Sequence, residues 1–366
     1  MTRPALVRLH RYAALGAGVL VVLVTLGGAS LVFREALTAW ITPAVAIAPR
    51  VPPPDAWQRL LEAARALEPR AVSIEIVSSA RADRASEVIA EGPHGVRHLF
   101  IDPHDASVVA DSERQWLPFA TFFRLHKNLL AGDGGEYVVG AAGATLAFMS
   151  VSGLILWWPR RWKQALRVRW DGNRVALSYD LHRCAGALFA LFLLLNALTG
   201  LVMVFDDAAA TLVNFVARAP SPDAIGPLSS ARVVKPLDEL VAAANRALPE
   251  GRVTRVMLRE GEPVVVRKRT ERDNHTNGVN RIYVDPATGA VLRAATLDRL
   301  PPGKAMFDWI YPLHTGNLFG SPYKVALALA GLVPLLSFVT GLIVWRSKAS
   351  PKRRAAQDPV RASHTA

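Results

Sequence analysis

Four runs of at least 18 mostly apolar residues decide most of what this chain can become: Tyr12–Phe33, Tyr137–Trp158, Ala185–Phe205 and Val325–Trp345. A helix rises about 1.5 Å per residue and the hydrocarbon core of a bilayer is about 30 Å thick, so each run is long enough to span it. The first run is too long for a signal-peptide core and lacks a small-residue cleavage site, which predicts a retained span. The expected class is a membrane protein with a four-helix bundle.

Charge sets the expected orientation. The 366 residues carry a formal net charge of +13. Segments 1–11, 159–183 and 346–366 hold three, seven and six basic residues, 16 in all, against the three acids Asp171, Asp180 and Asp358. The rest of the chain balances at 27 basic and 27 acidic residues, so the whole excess sits in these short flanks. Basic flanks stay on the cytoplasmic side, and four spans with both termini inside satisfy all three. The predicted order is a cytoplasmic N-terminus (1–11), span 12–33, an external segment 34–136, span 137–158, and a basic loop 159–184. Span 185–205, a second external segment 206–324, span 325–345 and a basic tail 346–366 follow. Nucleic-acid binding does not suit basic residues that flank apolar spans and form no single patch.

Cys184 is the one cysteine, which excludes an intramolecular disulfide, a zinc-type cysteine cluster and covalent haem attachment.

The chain also repeats itself. Placing His10 on His182 brings Gly28 onto Gly200 and Phe33 onto Phe205. Placing His126 on His314 sets RLHKNLLAG against PLHTGNLFG and GLILWWPR against GLIVWRSK. Gly153 and Gly341 both lie 27 residues past their histidine, and Trp157 and Trp345 both lie 31 past. The external segments match as well. Each opens on an amphipathic helix after proline (PDAWQRLLEAARAL; PLDELVAAANRAL) and continues into short alternating strands that include Asp-Pro turns at Asp102 and Asp285. The pattern predicts a tandem duplication with two external α+β modules, each able to bury only a small core and so expected to lean on the other.

Of nine histidines, four stand at the edges of the apolar runs. His10 and His182 open spans at the inner face, and His126 and His314 precede spans at the outer face. A two-fold relation between the repeats brings each pair together. Two neutral imidazoles facing one another across a helix bundle are the ligand set of a six-coordinate b-type haem, which carries electrons and has no free axial position. Two such haems, bound non-covalently, would conduct across the bilayer. Arg8, Arg11 and Arg183 inside, and Arg124 and Lys127 outside, are candidates to pair with propionates. Trp157, Trp158, Gly27 and Gly200 are candidates to shape the pockets, although the cytoplasmic tryptophans are better explained as interfacial anchors.

The remaining histidines carry less. His94, His98 and His104 lie on strand and turn, where their side chains need not converge on a metal. His275, in the polar loop ERDNHTNGVN, and His364, in the tail, are expected to be solvated. Arg267–Arg269 reads as an exposed edge strand protected by charge, with attraction of an external anionic substrate as the alternative.

The span order, the LHR starts, GLILWWPR, YPLHTGNLFG and IYVDPATGAVL resemble the PepSY-associated transmembrane helix family over nearly the whole chain, from about Arg8 to Arg346. The resemblance implies an iron-regulated inner-membrane protein like the family's ferric-siderophore reductases, which hold haem and pass electrons outward to periplasmic iron. It implies His10, His126, His182 and His314 as haem ligands. No Gly-rich dinucleotide fingerprint is present, so a separate cytoplasmic flavoprotein or membrane quinol is expected as donor, and a ferric siderophore or chelate as acceptor. The alternative is a non-enzymatic PepSY sensor or scaffold whose modules bind a peptide or partner protein. A transporter is disfavoured, because the spans hold few ionisable residues; Asn196 and Thr199 are accounted for by helix–helix contacts.

Overall fold

The computed structural model describes residues 2–41, 45–79, 81–112, 118–159, 164–219, 225–229 and 233–357. His364 and the basic residues Arg160, Arg161 and Lys163 lie outside them. In chain order the first helices and strands are α1 (Arg3–Leu31), α2 (Arg34–Ile41), α3 (Ala56–Leu67), β1 (Ser73–Val77), β2 (Ser86–Gly92), β3 (Gly95–Ile101) and β4 (Val108–Asp111). Then come α4 (Pro118–Asn128), α5 (Gly132–Trp157), α6 (Arg174–Val204), α7 (Asp206–Val216) and α8 (Leu237–Ala247). The chain closes with β5 (Arg252–Arg259), β6 (Val264–Arg269), β7 (Asn280–Val284), β8 (Val291–Ala295), α9 (Pro302–Ala305), α10 (Phe307–Thr315) and α11 (Gly320–Gln357). Contacts divide the molecule into two compact units. One comprises Met1–Val32, Phe122–Val204 and Phe319–Ala366; the other comprises Phe33–Thr121 and Phe205–Leu318.

The first unit contains the four helices long and apolar enough to cross a membrane: α1, α5, α6 and the Gly320–Ser347 part of α11. Each packs on two neighbours in the cyclic order α1–α5–α6–α11, which places α1 diagonally across from α6. Small residues set the closest approaches, as they do where lipid supplies no hydrophobic drive between helices. A Cβ on Gly18 would stand 2.6 Å from the Phe338 ring, and one on Gly331 would stand 2.7 Å from the Ala29 Cβ. Val21, Val24, Val139 and Ala142 close the α1–α5 seam, while Leu193, Ala330 and Val333 close the α6–α11 seam. Leu188, Leu191, Ile155 and Leu329 remain exposed, as a lipid-facing surface requires. Buried hydroxyls are satisfied within their own helices: Ser150 donates to the Leu146 carbonyl and Thr199 to that of Leu195.

The second unit is built on one antiparallel sheet of eight strands in the order β4-β3-β2-β1-β5-β6-β7-β8. The two predicted modules are therefore two halves of a single sheet, joined where β1 pairs with β5 in a register centred on Glu75 opposite Met257. The order reads outward identically from that seam. Alternation explains the layering: Ile74, Ile76, Val88, Leu99, Val256, Val266 and Ile282 point to one face, where α3 and α8 cover them with Leu60, Leu61, Leu237 and Leu240. Each fully buried side chain of this kind is worth about 1.5–3 kcal/mol. The two helices also cap each other. Trp57 and Gln58 donate backbone N–H groups to the Asp238 carboxylate, and Leu237 N–H donates to Gln58 Oε1.

The sheet corrects one expectation. Arg267–Arg269 belongs to β6, which lies between β5 and β7 and is no edge strand; the edges are β4 and β8. Charge on an interior strand therefore serves something other than edge protection.

Candidate functional site

His10 and His182 do not open their helices as expected. They sit about two turns inside α1 and α6. Because those helices are diagonal neighbours, the two rings face each other across the bundle, with centroids 6.5 Å apart and planes at 81°. A ligating imidazole nitrogen lies about 2 Å from its metal and about 1 Å from its own ring centre, so two rings sharing one metal have centroids about 6 Å apart. The observed spacing fits.

The surroundings of the two rings are alike. His10 Nδ1 lies 2.8 Å from Ser152 Oγ, and that hydroxyl donates its own proton to the Met149 carbonyl at 3.3 Å. His182 Nδ1–H donates to the Ser337 carbonyl at 2.8 Å, with Thr340 Oγ1 at 3.4 Å, and the Thr340 hydroxyl donates to Leu336. The carbonyl fixes the His182 proton on Nδ1 and leaves Nε2 with its lone pair, and in both rings a polar group on a neighbouring helix holds Nδ1, the arrangement in which an outer group orients a metal-binding imidazole. The residue after each hydroxyl is a glycine that lies against the ring, where a Cβ would make ordinary van der Waals contact. A Cβ on Gly153 would stand 3.6 Å from His10 Cε1, and one on Gly341 would stand 3.4 Å from His182 Cε1.

The arginine that follows each histidine carries an orphaned atom. Arg11 Nε and Arg183 Nε are buried without a hydrogen-bond partner. The other Arg183 nitrogens donate to the Arg167 and Gln164 carbonyls, and the Arg11 guanidinium lies 5.2 Å from the Tyr12 ring centre. A buried unpaired N–H costs about 1–3 kcal/mol. Two of them beside the paired rings suit a ligand that brings acceptors.

His126 belongs to the same unit. Its Nδ1–H donates to the Val24 carbonyl at 2.8 Å, which again leaves Nε2 with its lone pair. It packs on a glycine pair in α1: a Cβ on Gly28 would stand 2.8 Å from His126 Cε1, and one on Gly27 3.3 Å from His126 Cβ. The separation of His126 from its span along the sequence is resolved by a sharp reversal. α4 ends at Asn128, Leu129 and Leu130 adopt left-handed φ values of 53° and 62°, and α5 begins at Gly132. Two leucines in that region cost about 1–2 kcal/mol each. His314 belongs to the second unit, half-buried near the end of α10, where Gly316 at φ 81° stops the helix.

Among the described residues no group of three or more His, Cys, Asp or Glu side chains is placed to hold a metal ion. His94 is exposed in a turn. His98 Nδ1 lies 2.9 Å from Glu87 Oε1, whose other oxygen accepts from Arg34 at 2.5 Å. Burial of Glu87 opposes ionisation, but Arg34 and His98 outweigh it and hold the carboxyl at about 2. His104 closes the Asp102 turn, with Nδ1 at 2.6 Å from Asp102 Oδ1.

His275 is the second correction. It is 4% exposed, not solvated, and stacks on Tyr311 of α10 with centroids 4.0 Å apart. Its backbone N–H donates to Asp308 Oδ1, its Nδ1 accepts from the Asn277 N–H, and its Nε2 lies 3.1 Å from Arg267 Nη2. Burial, and then Arg267, Arg255, Arg281 and Arg269, push its pKa down to about 2. The folded protein thus keeps His275 neutral, while the unfolded chain binds a proton below the ordinary value of 6.5. The contribution is complete above that value and lost at about 1.4 kcal/mol per unit as pH falls below it. Thermal melts at pH 7.5 and 5.5 should show a lower midpoint at pH 5.5, and His275→Asn should shrink the difference. An unchanged difference in the variant would contradict this assignment.

Four membrane-length apolar helices together with an antiparallel sheet bearing helices on one face define a multi-pass membrane protein. The chain belongs to the family described as the PepSY-associated TM region, whose model matches residues 7–348. No curated protein matches the chain.

Proposed function

We propose that the protein is a transmembrane haem b electron carrier of the bacterial inner membrane that reduces a ferric siderophore or other ferric chelate outside the cytoplasm. The observation that carries this reading is the 6.5 Å juxtaposition of His10 and His182, each held at Nδ1 by a polar group of the neighbouring helix. His10 and His182 would hold the inner haem through Nε2, and His126 and His314 are the candidates for the outer one. Bound there, haem would supply a one-electron carrier. Ser152, Thr340 and the Ser337 carbonyl orient the inner rings, and Arg11 and Arg183 offer N–H donors to propionates.

Each ferric ion takes up one electron and becomes ferrous, which oxygen-rich chelators hold less tightly. The electron comes from a cytoplasmic flavoprotein or from membrane quinol. We place both termini and the basic loops in the cytoplasm and the sheet-bearing unit in the periplasm, following the charge distribution. The mirrored strand order about β1 and β5, and the matched settings of His10 and His182, support an origin by tandem duplication.

The test is a single-turnover experiment. Full-length protein, purified with its haem and reduced by stoichiometric dithionite, is mixed with ferric citrate and followed by the haem absorbance, with a ferrous-specific chelator reporting product. Reoxidation matched by equimolar ferrous iron is expected. A haem-loaded protein that stays reduced in ferric chelates of every class would refute the reductase assignment.

A further inference from the structure

Three arginines stand side by side across the second half of the sheet. Arg255 of β5 is in register with Arg267 of β6, and Arg267 with Arg281 of β7. Their neighbours Val256, Val266 and Ile282 point into the core beneath α3 and α8, so the arginines occupy the opposite face. Like charges directly opposite one another destabilise a sheet, and here two such pairs follow in succession. One carboxylate answers them: Glu75 of β1 pairs with Arg255. Arg267 spends its Nε on the Gly278 carbonyl at 2.7 Å and directs Nη2 to His275 Nε2 at 3.1 Å. Burial, with Arg281 and Arg255 adding to it, lowers its pKa to about 10. Arg281 is exposed, and no carboxylate pairs with it among the described residues.

The flank of this row is also defined. His275 touches Arg267 and stacks on Tyr311, which lies in α10 one turn before His314. His275 stays neutral, so it offers no counter-charge and adds no repulsion to an incoming anion. The fold thus holds an excess of guanidinium beside the helix that carries the candidate outer ligand. Guanidinium groups recognise carboxylates by paired, directional N–H donation.

We propose that the Arg255–Arg267–Arg281 row is the seat of the electron acceptor and selects chelates that carry carboxylate groups over uncharged ones. This rests on the reductase reading above, whose substrate class it narrows to anionic, carboxylate-bearing ferric chelates. Arg281, exposed at the end of the row, makes the first contact, and Arg267, held by the Gly278 carbonyl, defines the position.

The experiment is equilibrium binding to the full-length protein in nanodiscs, by calorimetry, with gallium(III) citrate as a redox-inert probe and an uncharged gallium trihydroxamate as comparison. The wild type should bind the citrate complex, less tightly as salt is raised, and should bind the trihydroxamate at least tenfold more weakly. Arg281→Gln should weaken citrate binding about tenfold, and Arg281→Glu should abolish it. Arg293→Gln, on β8 beside Tyr283, should leave it unchanged. Arg281 is chosen because it is exposed; circular dichroism melts identify any variant that fails to fold. The proposal is overturned if the wild type does not bind the citrate complex, if both Arg281 variants bind it like wild type, or if the uncharged chelate binds equally well. A colourless protein with Arg281-dependent binding would uphold this site while removing the haem reading. A haem-loaded protein indifferent to Arg281 would do the reverse.

Discussion

Replacing His182 by glutamine should remove the proposed inner haem from the full-length protein, and His10→Gln should do the same. Haem per chain should fall from about two to about one in either variant, because a six-coordinate site that loses one of two axial imidazoles loses its low-spin state and most of its affinity. The effect is large because no other described His, Cys, Asp or Glu clusters with the pair as a substitute. Removing the orienting groups should act more gently. Ser152→Ala and Thr340→Val leave both imidazoles in place but loosen their orientation, and changes to such outer partners typically cost 10–100-fold in affinity. Low-temperature electron paramagnetic resonance separates the cases: one of the two low-spin signals is lost in the histidine variants and the same signal is shifted in the hydroxyl variants. Equal haem content and identical spectra in His10→Gln and wild type would remove this pair from consideration.

Gly278→Ala should be the most damaging small substitution in the sheet-bearing unit. Gly278 has φ 71°, and a Cβ there would stand 2.0 Å from the Lys268 carbonyl oxygen and 2.6 Å from Arg269 Cα. The left-handed conformation costs about 1–2 kcal/mol for a residue with a side chain, and forcing β6 aside adds about 1–3 kcal/mol. A loss of about 2–5 kcal/mol in a unit of this size lowers the melting midpoint by about 5–20 °C. Gly95→Ala provides the contrast. Its φ of 110° is also unfavourable, but nothing lies within 4 Å of its would-be Cβ, so only the backbone cost applies. The damage at Gly278 extends to chemistry, because its carbonyl fixes Arg267. Far-UV circular dichroism melts of both variants check the ordering; equal midpoints would contradict it.

What the sequence revealed follows from how each feature is encoded. The four membrane helices are legible because an unbroken apolar run of that length has few other uses. His10 and His182 are legible as a pair because the same local setting occurs twice. The Nδ1 partners are harder to see. Ser152 and Thr340 read as ordinary small polar residues of apolar helices until the helix phase brings each beside a histidine far away in the chain. Arg267–Arg269 reads as an edge strand because alternation gives the two faces of a strand and says nothing about its neighbours. β6 is interior because β5 and β7 flank it, and β5 is interior because β1, from the other half of the chain, pairs with it. His275 reads as solvated because its loop is polar, yet that polarity is spent internally: Asp308 accepts from His275 N–H and Asn274, and Asp273 accepts from Thr270 and Asn280. A polar loop can bury itself when its own groups satisfy one another.

The central claim is that His10 and His182 share one iron porphyrin. The most direct test is the absorbance spectrum and haem content of full-length protein purified from haem-replete cells, before and after dithionite. The account predicts a b-type, low-spin reduced spectrum with about two haems per chain. A folded protein that remains colourless under those conditions would contradict it.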